Sequence, residues 1–245
     1  MSRVYSGLSD IYGNNAPLPS TDGSSSVVPV RHSFALVPPE PLAQVFARHR
    51  ARFDPGHADT VPHITMKLGF VLGDGALATH SDLVEWLEQE CRQQRPFEVQ
   101  LGEVGMFSSC SGYGHVVYVG VCLTPALMEL HSRLVEGLAK VGARTSGVSV
   151  EREVVMFFPH LTLAQGLTEE DAQQAFAVAQ RELTPVMFLA DRLVTARSAD
   201  GERWAVDGQV RFCGETMVAL STAGESVGSP SMVRGNRRGM KGRDA

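Results

Sequence analysis

The sequence predicts a mixed chain of strands and helices in which one unit is used twice, and three observations carry that prediction. Pro62-His63-Ile64-Thr65-Met66 and Pro159-His160-Leu161-Thr162-Leu163 repeat one pattern 97 residues apart. Each copy stands at the same place in the same order of elements: an apolar strand, a helix, the His-x-Thr strand, a second helix and a closing strand. At 245 residues and 43% hydrophobic content, the chain can bury a core as one domain or as two similar lobes.

In the first copy the opening strand lies near Val30 to Val37, and Pro38-Pro39 leads into a helix through Leu42, Val45 and Phe46. The His63 strand follows, then a helix from about Ser81 to Gln94 with Leu83, Val84, Leu87 and Cys91 on one stripe. A strand from Phe97 to Phe107 closes the unit. In the second copy His115 to Leu123 is the strand, Thr124-Pro125 is an N-cap and first-turn signal, and Leu127, Leu130, Leu134 and Leu138 form the helical stripe. The His160 strand, a helix from about Glu169 to Glu182 capped by Thr168, and a strand from Val186 to Ala196 complete it. Arg203 to Phe212 is expected to pair back through the turn signal Ala199-Asp200-Gly201.

Residues 1–28 and 221–245 are rich in Gly, Ser, Pro and charge without a hydrophobic period, and both are expected to be disordered. Between them, residues 29–220 form the repeated domain, with lobes of about 29–110 and 111–220. The N-terminal stretch has neither the apolar core of a signal peptide nor the Arg-rich character of a transit peptide, and the apolar runs fall far short of about 18 residues. Four scattered cysteines form no CxxC pair. The expectation is a cytoplasmic protein with no membrane partner. Residues 230–245 carry a net charge of +4, so the rest of the chain stands at −9 against −5 for the whole. A body that acidic is a poor match for a DNA duplex or a long strand, which call for a basic stripe, and fits a small nucleotide or an oligonucleotide end.

Alternate residues of a strand share a face, so His63 and Thr65 point one way while Ile64 and Met66 point the other, and the His160 copy behaves alike. Two imidazoles and two hydroxyls around one point suit an acid, a base and hydrogen bonds to an oxyanion, as phosphoester chemistry requires. His63, Thr65, His160 and Thr162 are therefore the candidate catalytic residues. In a regular strand Lys67 would share the face of His63 and Thr65 as the local cation. Phe107, Tyr113, Phe157 and Phe158 lie near strand ends or motif starts, where an aromatic face could stack on a base, although core packing is the better account of such residues.

These residues resemble the 2H phosphoesterase superfamily, named for its paired His-x-Thr/Ser motifs, and within it the bacterial 2'-5' RNA ligase or RNA 2',3'-cyclic phosphodiesterase branch. The match lies in His63-Ile64-Thr65-Met66-Lys67 and His160-Leu161-Thr162-Leu163-Ala164 and extends loosely over residues 30–213. The resemblance implies an α+β fold, bilobal and pseudo-twofold, with antiparallel sheets and flanking helices around a central cleft. It also implies catalysis without metal or cofactor, and a cyclic phosphate or 2'-5' linkage of a nucleotide or RNA end as substrate. Where many members of the branch carry Arg after the second motif, this chain has Gln165, which can hydrogen-bond a phosphate but brings no charge. Lys67, Gln165, Tyr113 and Phe158 are accordingly the candidate substrate-binding residues.

The other six histidines, His32, His49, His57, His80, His115 and His131, fall in no ligand or triad spacing, and no HExxH or Cys/His cluster marks a metal site. Two rivals to a phosphodiesterase stay open from the residues alone. One is a noncatalytic module that binds a nucleotide or RNA end, and the other is a 2'-5' RNA ligase.

Overall fold

A computed structural model describes residues 29–73, 76–108, 114–145, 149–200 and 203–213. The expected terminal segments, 1–28 and 221–245, lie outside the described residues, as does Tyr113. The elements run β1 (Arg31–Leu36), α1 (Leu42–Phe53), a short 3-10 turn (Pro55–His57), β2 (Ile64–Val71), α2 (His80–Arg92), β3 (Phe97–Phe107) and β4 (His115–Val121). There follow α3 (Pro125–Lys140), α4 (Val150–Val155), β5 (His160–Leu167), α5 (Glu169–Glu182), β6 (Val186–Ala190), β7 (Arg192–Ser198) and β8 (Ala205–Arg211). No helix among the described residues is long and apolar enough to cross a membrane.

The eight strands form one sheet in the order β6-β3-β4-β5-β2-β1-β7-β8, antiparallel throughout. The two expected sheets are thus two four-stranded halves joined at their centre by β2 and β5, through the single pair Ile64↔Leu161. Each half takes an outer strand from the other half of the sequence. β3, expected to close the first unit, pairs with β4 and β6, whereas β7 pairs with β1. The expected strand from Val186 to Ala196 is in fact two strands broken at Asp191, with β6 on one edge of the sheet and β7 near the other. One residue therefore links opposite ends of the sheet, which requires the sheet to curl.

Helix ends follow the side chains that cap them. Thr79, Thr124 and Thr168 each accept a hydrogen bond from the backbone N–H three residues on, and the Asp82 carboxylate in turn accepts from the Thr79 backbone N–H. A lost cap of this kind costs about 1 kcal/mol. On α3 the stripe Leu127, Leu130, Leu134 and Leu138 is buried against the sheet, as the period demands. α4 has no counterpart in the sequence reading, because six residues with three charges give no apolar period.

The repeat reaches down to backbone irregularities. Along β2 the register against β1 slips twice, once at Met66–Lys67 and once near Gly69, which takes a φ of +71°. Along β5 the register against β4 slips at the equivalent Leu163–Ala164 and near Gly166, with φ +69°. Each slip inserts an unpaired residue, bends the strand and re-aims the side chains beyond it. β2 and β5 consequently cross at Ile64 and Leu161 and then part. The opened backbone edges are met by helices from the opposite half: His131 on α3 bonds the Met66 carbonyl at 2.8 Å, and Arg50 on α1 donates to the Thr162 carbonyl.

Candidate active site

Ile64 and Leu161 are both fully buried, which turns the residues on either side of them to the opposite face. The antiparallel pairing then sets His63 across from Thr162 and Thr65 across from His160, so the four predicted side chains gather at the centre of the sheet. All four are half-buried. Neighbouring strands extend the two rows. Gly120 on β4 pairs with His160, Tyr118 pairs with Thr162, and Gly105 on β3 pairs with Tyr118. A Cβ on Gly105 would come within 2.4 Å of the Tyr118 ring, so the ring lies where a side chain at 105 would otherwise stand.

Each imidazole is held from behind in the same way. His63 Nδ1 bonds the Val61 carbonyl at 2.7 Å, and His160 Nδ1 bonds the Phe158 carbonyl at 2.9 Å. A carbonyl accepts only, so Nδ1 carries the hydrogen in both rings and Nε2 is left as the atom that exchanges a proton. His160 is further framed by aromatic rings, with Phe107 edge-on at 5.3 Å, Tyr118 at 5.4 Å and Phe158 at 6.1 Å between centroids.

Burial pushes both imidazoles below their ordinary pKa, because a charged ring loses solvation there. The backbone carbonyl opposes this in each case. His63 is additionally depressed by the positive charge of Arg50, and His160 by that of His63. The last effect makes the pair a coupled one, in which protonation of one ring resists protonation of the other.

Arg50 is a member of this centre that the sequence reading missed. It is buried on α1 and donates to the Thr60 carbonyl at 3.1 Å as well as to that of Thr162, linking the approach to one motif with the strand of the other. Asp54, one turn on, favours its charge and accepts from the Gln165 backbone N–H at 3.2 Å. The signal was present: Ala43, Phe46 and Arg50 fall on one helical stripe, and a cation on the buried face of a helix has to be there for a partner. Tyr118 was missed because in the strand pattern it reads as an ordinary aromatic.

Of the expected binding residues, Phe158 is at the site, against Phe107, Tyr118 and His160. Lys67 has another partner. The slip at Met66–Lys67 breaks the alternation that would have set it beside Thr65, and its buried ammonium donates to both Glu153 oxygens at 2.6 Å. Regular-strand reasoning failed there because it could not see the bulge. Gln165 is exposed beyond the equivalent slip on β5, and its backbone N–H donates to Asp54. Phe157, the other aromatic of the pair, stacks on His131 at 3.7 Å.

An antiparallel sheet whose two central strands each bring a His-x-Thr to one face defines a 2H type of phosphoesterase. Residues 38–202 match the 2'-5' RNA ligase superfamily, and the chain belongs to that superfamily. A protein of Bacillus licheniformis that is named, by inference, a phosphoesterase is 23% identical over 177 residues, covering 72% of this chain and 95% of that protein. A similarly named protein of Bacillus cytotoxicus is 30% identical over 159 residues, covering 64% of this chain and 82% of its own length. The crystal structure of TT0787 of Thermus thermophilus shares the fold, with a TM-score of 0.50 and 16% identity over 76% of this chain and all of that one. Membership makes the protein an enzyme of the phosphoesterase class.

Proposed function

We propose that the protein opens a 2',3'-cyclic phosphate, or cleaves a 2'-5' linkage, at the end of a nucleotide or short RNA, using His63 and His160 as a base and acid without a metal at that centre. The observation that carries this reading is the meeting of the two motifs at Ile64 and Leu161 with both imidazoles locked through Nδ1. One ring must be neutral and the other charged. Mutual repulsion separates the two protonation steps, and a bound phosphodiester anion favours the singly protonated pair.

We take His63 as the base and His160 as the acid; exchanging the two rings gives the same overall reaction. In hydrolysis, Nε2 of His63 takes a proton from the attacking water as its oxygen bonds to phosphorus. The bond from phosphorus to the 3' oxygen breaks, and His160 gives its Nε2 proton to that leaving oxygen, yielding a 2'-phosphate. Thr65 and Thr162 donate hydrogen bonds to the nonbridging oxygens, whose charge grows in the transition state. Phe158 offers a ring to the base, and Tyr113 and Gln165 remain candidates for contact with base and phosphate respectively.

Incubating the protein with a panel of 2',3'-cyclic and 2'-5'-linked nucleotides and following the products by phosphorus NMR tests the reading. Conversion of a 2',3'-cyclic nucleotide to the 2'-phosphate is expected, undiminished by chelator. Saturable binding without turnover, or a 3'-phosphate as the sole product, would overturn the activity or its direction.

A further inference from the structure

Two of the six histidines that lie in no ligand spacing come together in space with a carboxylate. His32 on β1, His80 at the first turn of α2 and Asp207 on β8 present ligand atoms that all lie within 4.8 Å of one another. We propose that these three residues bind one divalent transition-metal ion of the zinc class, at a site separate from the histidine pair.

The backbone itself builds this arrangement. His32 stands opposite Arg197 on β7, and the register between β7 and β8 slips between Thr195 and Ala196, leaving Asp207 as the extra residue of a bulge. A bulge re-aims a side chain, and here the carboxylate comes within 3.7 Å of His80 Nε2. His32 and His80 stack with ring centroids 5.8 Å apart.

The chemistry of the cluster asks for a ligand. His80 Nδ1 and Asp207 Oδ2 are buried, and neither has a hydrogen-bond partner. Leaving a buried polar atom unpaired costs about 1–3 kcal/mol, and a metal held by Asp207 would satisfy its Oδ2. Asp207 Oδ1 is meanwhile held by the Thr195 hydroxyl at 2.5 Å, the kind of outer contact that orients a ligating carboxylate. Two imidazoles and one carboxylate form a donor set suited to zinc, leaving a further position for water. His32 is nearly fully buried, so a metal held there would be shielded from water on that side.

One charge competes. Arg197 Nε lies 3.8 Å from Asp207 Oδ2, on a side chain exposed enough to swing into solvent when a metal takes that oxygen. The site lies well away from the motif histidines, because His32 is four residues along β1 from Leu36, the partner of Ile64, or roughly 13 Å. A metal there would tie α2 and the edge strand β8 to β1.

Titration of the metal-free full-length chain with Zn²⁺ alone, read by competition with a chromophoric chelator, tests the site. One equivalent should bind and raise the melting temperature, and Co²⁺ should show the visible bands of a low-coordinate site. His80→Gln and Asp207→Asn should each weaken binding more than about tenfold with melting in the absence of metal close to the parent, while His160→Ala leaves binding unchanged. Arg197→Gln removes the competitor and should tighten binding by about two- to fivefold, a gain that misfolding cannot imitate. Absence of stoichiometric binding, binding that survives His80→Gln, loss in His160→Ala, or no tightening in Arg197→Gln would overturn the proposal.

Discussion

His63 and His160 each commit one ring nitrogen to a backbone carbonyl two residues back, and that small contact fixes which nitrogen meets a substrate. The contact is local, reaching from each histidine across the proline before it to the carbonyl beyond, and needs no distant partner. Thr65 and Thr162 add hydroxyls on the same face, and their proposed role concerns charge that appears only as the reaction proceeds. Thr65→Val and Thr162→Val should therefore lower kcat by about ten- to a hundredfold while KM changes little, since valine keeps both the shape and the strand preference. Steady-state kinetics on a cyclic nucleotide would check this, and a rise in KM alone would reassign the hydroxyls to ground-state binding. These four residues were legible because their spacing repeats. The partners of Arg50 and Lys67 were not, since they show only once distant carbonyls and Glu153 are brought to these buried cations.

The strands show why a simple periodic reading carries so far and then stops. Their extents follow alternation and turn chemistry, and β3, α3 and α5 lie close to where apolar stripes and threonine caps put them. Pairing is another matter, because β3 and β7 bind strands of the opposite half, and nothing in a strand's own residues names its neighbour. The bulges are partly written in the chain, as Gly69 and Gly166 sit at equivalent places, six residues after each motif histidine. With φ near +70° neither position suits an L side chain. Gly69→Ala has open space around its Cβ, so the cost is backbone strain alone, about 1–2 kcal/mol of unfolding free energy measured by urea denaturation. No loss of stability would show that the bulge relaxes freely and does not set the path of β2.

In the whole molecule, two halves that share little sequence beyond the motif converge on one coupled pair of imidazoles, and burial weighs on much more than that pair. His32, His49, His63, His131 and His160 all lie below their ordinary pKa, with desolvation the main cause in each. The folded state therefore binds fewer protons than the unfolded chain once pH drops toward the unfolded value of about 6.5, and stability is lost as pH falls through that value and toward the depressed folded ones. Thermal melts should show a falling Tm on acidification below neutrality, whereas a flat or rising Tm would mean these rings stay solvated. The central claim is that one histidine from each half supplies the base and the acid. The most direct test is the initial rate of 2',3'-cyclic nucleotide opening by the parent, His63→Ala and His160→Ala, with folding verified by melting. Each single substitution should cut the rate by at least about a hundredfold, because either proton transfer is lost on its own; a near-parental rate in either variant would contradict the account.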